Sequence, residues 1–159
     1  MSGAGPFASG HVAEPDPRYL REGGVSGTLV DTCVLIDVFA DDPNWADWSI
    51  DQLERCADTG PLLINPIILA ELSPRFETAA DLEATLAGLP LQRAQLPWDA
   101  AFLAGQAFKL YRREQGQRSA PLPDFYIGAH AWLQGLQLLT RDPNRFRRHF
   151  PRLPLVTPS

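Results

Sequence analysis

Residues 28–37 read Thr28-Leu29-Val30-Asp31-Thr32-Cys33-Val34-Leu35-Ile36-Asp37, and this stretch decides the fold. Thr28, Leu29 and Val30 form a short β-prone run that is apolar on both faces and stops at Asp31. From Thr32 the apolar residues switch to helical spacing and keep it to residue 40. A strand apolar on both faces, followed at once by a helix, is the opening of a β-α unit in a parallel sheet.

The same alternation repeats along the chain. Asp42-Pro43-Asn44 signals a helix start, and Trp45, Trp48, Leu53 and Cys56 then lie along one helix face. Residues 61–65 read as a buried strand, and Pro66 opens a helix. Residues 81–89 form a short helix ended by Gly88 and Pro90, and 91–96 a further strand. Pro97 precedes a long helix, 98 to about 115, with Phe102, Leu103, Ala107, Leu110 and Tyr111 as its buried stripe. A helix over 124–135, a strand over 136–140, a helix over 143–150 and a strand over 153–156 complete the pattern. Alternation of this kind predicts an α/β fold with three layers, a mainly parallel sheet of short strands covered by helices on each side. Residues 1–24, rich in Gly, Pro and Ala and without either period, read as a flexible N-terminal tail, and 25–159 as a single domain.

Composition is consistent with one globular domain. The chain has 159 residues, 45% of them hydrophobic and 21% charged, enough for a core that needs no staple. No run reaches the roughly 18 apolar residues of a membrane-spanning helix, and the N-terminus lacks the basic-then-apolar layout of a signal peptide. Cys33 and Cys56 lack metal-ligand spacing and read as small buried hydrophobes of a cytoplasmic protein. The net charge of −5 conceals an asymmetry: residues 25–99 carry 13 acidic against 3 basic side chains, whereas 100–159 carry 9 basic against 3 acidic. Such a split suggests two functional surfaces, one of which could meet an anion.

Parallel sheets place their sites beyond the carboxyl ends of the strands, which makes four acids informative. Asp31 ends the first strand, and Asp142 lies just past the strand over 136–140. Glu71 sits among apolar residues in the helix that follows 61–65. Asp124 lies in the first turn of its helix, where the dipole favours a carboxylate. Singly, Asp31, Asp124 and Asp142 read as helix caps, dipole partners or turn formers. Glu71 is harder to dismiss, because a buried glutamate needs a partner. Clustered together, the four would repel unless a cation sat among them, and an all-oxygen set suits Mg2+ or Mn2+.

The segments that carry these acids resemble the PIN-domain ribonucleases, and within them the VapC-type toxins of bacterial toxin–antitoxin pairs. Val30-Asp31-Thr32-Cys33-Val34-Leu35-Ile36-Asp37 is similar to the family's opening strand and first acid. Asn65-Pro66-Ile67-Ile68-Leu69-Ala70-Glu71-Leu72 is similar to the second. Leu122-Pro123-Asp124-Phe125-Tyr126-Ile127-Gly128-Ala129-His130-Ala131 is similar to the third. Leu138-Leu139-Thr140-Arg141-Asp142, with Arg145-Phe146 and Phe150-Pro151, is similar to the fourth. The resemblance covers about residues 27–157, with the acids in order.

It implies a metal-dependent endoribonuclease in which Asp31, Glu71, Asp124 and Asp142 are catalytic and hold one or two Mg2+ or Mn2+ ions. Products with a 5′-phosphate and a 3′-hydroxyl, a VapB-type antitoxin partner and a homodimer are expected with it. Thr32 and Thr140 would hydrogen-bond a carboxylate or a metal-bound water. Arg141 and Arg145 are the candidates for contact with RNA. The acidic stretch 37–58 could receive basic residues of the antitoxin, and the helices around 45–53 and 69–76 could supply the dimer contact. His130 reads as a core or hydrogen-bonding histidine before it reads as a base, and Trp45, Trp48, Trp98 and Trp132 as core before stacking platforms. Two other classes compete. A phospho-accepting receiver would need a lysine after its last strand, and the only lysine is Lys109. A catalytically idle domain that only binds a protein or RNA is separated from the enzyme by metal-dependent cleavage.

Overall fold

A computed structural model of the chain describes residues 26–115 and 122–159. The reading of residues 1–24 as a tail therefore lies outside the described residues. Five short parallel strands form one sheet, β1 (Thr28–Val30), β2 (Leu62–Ile64), β3 (Leu91–Arg93), β4 (Gln137–Leu139) and β5 (Leu155–Val156), in the order β3-β2-β1-β4-β5. Between them, seven helices occur among the described residues: α1 (Thr32–Phe39), α2 (Ala46–Thr59), α3 (Pro66–Leu72), α4 (Ala79–Leu86), α5 (Trp98–Gln115), α6 (Leu122–Leu133) and α7 (Asn144–Arg147). No described helix is long and apolar enough to cross a membrane.

The strand order sets the position of the site. The chain runs outward from β1 through β2 to β3, then returns to the far side of β1 for β4 and β5. Right-handed crossovers moving in opposite directions place helices on both faces of the sheet. The chain segments that leave β1 and β4 diverge, and a crevice opens between them at the carboxyl ends of these two strands. Both are fully or nearly buried: Leu29, Val30, Leu138 and Leu139 have no exposed surface.

The helices start where side chains satisfy their free N–H groups. Asp31 accepts from the Thr32 backbone N–H through Oδ1 at 2.8 Å, and Asn65 accepts from the Ile68 N–H at 2.9 Å with Pro66 in the first turn. Asp42 Oδ1 accepts from the Asn44 and Trp45 N–H groups ahead of α2. Beyond the end of α6, Gly135 takes φ of 64°, a left-handed turn that an L side chain would resist.

Three expectations need correction. The buried face of α5 is rotated from the predicted stripe: Ala100, Leu103, Ala104 and Ala107 are buried, while Phe102 is 66% exposed. Trp98 is no core residue but 92% exposed. The helix expected over 143–150 is only the single turn of α7, and the chain then runs through turns to β5.

Candidate active site

Strand register brings the first pieces together. Val30 pairs with Leu139, so the residues that follow, Asp31 and Thr140, emerge side by side at the crevice. Thr140 Oγ1 donates to Asp31 Oδ2 at 2.7 Å and accepts from the Asp142 N–H at 3.1 Å. Asp31 is fully buried. The Cys33 thiol lies 3.4 Å from Asp31 Oδ2 as a further donor, and burial with the Asp31 charge pushes its pKa up to about 11, which keeps the proton on sulfur.

Glu71 reaches the same crevice from the second turn of α3, where Thr32 Oγ1 donates to its Oε1 at 2.9 Å. Both threonines thus hold a site carboxylate. Burial raises the Glu71 carboxyl pKa, as do the charges of Asp31 and Asp124, against the opposing Thr32 hydrogen bond. Asp124 enters from the first turn of α6. Its carboxyl is also raised, first by burial and then by Asp31 and Asp142, although Arg145 pulls the other way. Asp31, Glu71 and Asp124 lie close together: Thr32 bonds both Asp31 and Glu71, and Arg145 bonds both Asp31 and Asp124. Asp142 stands exposed at its rim, near enough for Asp124 to feel its charge.

A guanidinium lies between the acids. Arg145 donates from Nε to Asp124 Oδ2 at 3.0 Å and from Nη2 to Asp124 Oδ1, while Nη1 reaches Asp31 Oδ2 at 3.2 Å. Burial works against this charge, yet the Asp124 hydrogen bond and the two carboxylates raise its pKa further. Among the described residues no three His, Cys, Asp or Glu side chains form a ready metal cage. The donors nonetheless fit a hard cation. All are carboxylate oxygens, two of the acids have pKa values raised by burial and then by neighbouring acids, and a positive group already lies against Asp31 and Asp124. Mg2+ keeps several waters and takes only one or two protein carboxylates directly, so it needs no closed cage.

Arg141 points elsewhere. Its Nε and Nη2 donate to Asp37 Oδ2 and Oδ1 at 2.8 and 3.0 Å, and its guanidinium lies 5.2 Å from the Trp45 ring centre. Asp37, only 2% exposed, also accepts from Ser49 Oγ at 3.0 Å. Arg141 therefore locks α1, α2 and the segment after β4 together, so the structure gives it a structural role where the sequence suggested a phosphate contact. Asp37 is likewise withdrawn from the acidic surface offered to a partner. Sequence reasoning missed both this pairing and the part played by Cys33. His130 is buried between Asn65 Nδ2 at 2.9 Å and Gln134 Oε1 at 2.8 Å, which fixes it as the tautomer protonated on Nε2. Burial lowers its pKa. It is a core histidine, as its sequence setting suggests.

Residues 28–149 match the PIN domain family. The fold is similar to a VapBC2 complex from Rickettsia felis bound to a DNA fragment from its promoter. That pair has a TM-score of 0.64 and 20% identity, covering 83% of this chain and 98% of that one. It is also similar to a toxin–antitoxin complex from Klebsiella pneumoniae, with a TM-score of 0.59 and 25% identity, covering 84% and 98%. A third likeness is to VapBC-1 from nontypeable Haemophilus influenzae, with a TM-score of 0.62 and 18% identity, covering 82% and 96%. No curated protein matches the sequence. A family match across most of the chain, agreeing with the strand order and with acids gathered between β1 and β4, establishes that this chain belongs to the PIN domain family.

Proposed function

We propose that the chain is a Mg2+- or Mn2+-dependent endoribonuclease and the toxin of a toxin–antitoxin pair, acting in the cytoplasm. The observation that carries the nuclease reading is the convergence of Asp31, Glu71 and Asp124 on one crevice, with a cation already drawn against them. Fold likeness to toxin–antitoxin complexes supports the toxin role.

Asp31, Glu71, Asp124 and Asp142 would hold the metal, which when bound supplies an activated water and neutralises charge building on the scissile phosphate. The chain's own residues set the stage for this. Thr32 N–H, Thr140 Oγ1 and the Cys33 thiol fix the Asp31 carboxylate from both sides. Thr32 Oγ1 holds one Glu71 oxygen and leaves the other available. The exposed Asp142 completes the rim where RNA would enter.

Two partner surfaces follow from the same reading. Asp41, Asp47, Glu54 and Asp58 remain exposed and would receive the basic residues of an antitoxin. For the homodimer, Trp98 and Phe102 on α5 present more exposed apolar surface than the helices around 45–53 and 69–76.

The test is cleavage of labelled small RNA by purified protein with Mg2+ or Mn2+, beside Asp124→Asn and an EDTA control. Discrete cuts that vanish in both controls are expected, with a loss of at least a hundredfold in Asp124→Asn. Absence of cleavage across transfer, ribosomal and messenger RNA, with the protein freed of antitoxin, would overturn the reading.

A further inference from the structure

We propose that Arg145 is a built-in counter-cation of the acid cluster, one that must leave its carboxylates before a divalent metal can enter. The inference rests on the reading of the cluster as a metal centre and concerns what regulates its loading.

The contacts of Arg145 leave little room for a second cation. Both oxygens of Asp124 are engaged by the guanidinium fork, through Nε and Nη2. Such paired N–H contacts fit a carboxylate in shape as well as charge. The third donor, Nη1, goes to Asp31 Oδ2, which already accepts from Thr140 and Cys33. The remaining oxygen of Asp31 caps α1. Direct coordination by either Asp124 oxygen or by Asp31 Oδ2 therefore competes with a bond now made to Arg145.

The arrangement also explains how the metal-free protein tolerates two neighbouring buried acids. Asp31 is fully buried and Asp124 is 8% exposed, so without a positive group their charges would stand uncompensated. Arg145 supplies that charge from the single turn of α7, with its side chain still 28% exposed. A route to solvent is thus open when the side chain swings away. Its guanidinium also lies 5.2 Å from the ring centre of Phe146, its own neighbour. The released fork stands at the mouth of the crevice, where a phosphate of RNA could take the place of the carboxylates. Metal and RNA phosphate each draw on the released state, so each should strengthen binding of the other.

Calorimetric titration of Mn2+ into the metal-free full chain tests this, on the native protein, Arg145→Gln and Arg145→Lys, together with thermal melting before metal is added. Arg145→Gln should bind Mn2+ at least tenfold tighter while its metal-free melting temperature falls by several degrees. Arg145→Lys, with a single-point charge in place of the fork, should lie between and provides the reading if the Gln variant does not fold. A nucleoside 5′-monophosphate, which has no internucleotide bond to cut, should tighten Mn2+ binding to the native protein and have a smaller effect on Arg145→Gln. Unchanged or weaker Mn2+ binding by a folded variant, with the native protein binding normally, overturns the counter-cation role alone. Failure of every variant and of the native protein to bind Mn2+ overturns the metal-centre reading as well.

Discussion

Asp37 lies in the helix that Asp31 caps, six residues further on, but serves a different purpose. Its carboxylate is buried and held by the Arg141 fork and by Ser49, so three segments of the chain depend on one charge. Removing one partner of a buried ion pair leaves the other without compensation. Arg141→Ala should therefore destabilise the protein by about 3 kcal/mol, measured by urea unfolding, with Asp37→Asn partly restoring the double variant. A loss below about 0.5 kcal/mol would show that water replaces the arginine. The sequence makes the sign of these charges legible but not their direction. Asp37 lies between Ile36 and Val38, the same apolar setting that singled out Glu71, and that signal was available. Arg141 offered none, because its partner lies 104 residues away. Three of the candidate acids were easier to read, since Asp31 and Asp142 follow strands and Asp124 stands in the first turn of a helix, whereas Glu71 was marked only by its apolar neighbours.

At the scale of an element, α6 shows what periodicity conveys and what it leaves out. Its length and its acidic first turn are legible, as is the glycine that follows it. Its closest contact is not. A Cβ built on Gly128 would lie 2.5 Å from Cε2 of the Phe150 ring, which is itself buried. The aromatic ring rests directly on the helix backbone two residues from Tyr126 and one turn from Asp124. Gly128→Ala should cost about 2 kcal/mol through overpacking and lower the melting temperature by several degrees. A neutral or raised melting temperature would mean that the ring moves aside freely. The misplaced face of α5 has a related cause. Phe102 drew the predicted stripe toward itself by its hydrophobicity, whereas the buried face is built on Ala100, Ala104 and Ala107. Small side chains let a helix sit close to its neighbour, and that requirement belongs to the pair, not to either sequence segment.

For the whole molecule, the order β3-β2-β1-β4-β5 does most to explain why a modest chain gathers acids from four separate segments. The alternation of strands and helices made the parallel sheet legible, and the rule for strand ends then selected the acids. Nothing in the alternation shows which face would meet another copy in the proposed homodimer. Trp98 and Phe102 stand one turn apart on α5, so their exposed rings lie side by side as an apolar patch of the kind that marks an interaction surface. Replacing both by serine should convert a dimer to a monomer in multi-angle light scattering. An unchanged mass would place the contact on another face. The return of the chain to β4 has a last consequence, in the timing of synthesis. Asp31 is made early, yet the hydroxyl and guanidinium that hold it follow 109 and 114 residues later. A nascent chain that has passed Asp124 but not reached Gln137 carries Asp31, Glu71 and Asp124 but has no β4 to set beside β1. The order of synthesis thus acts as a safety catch: the acids meet the groups that hold them only after β4 and α7 have been made.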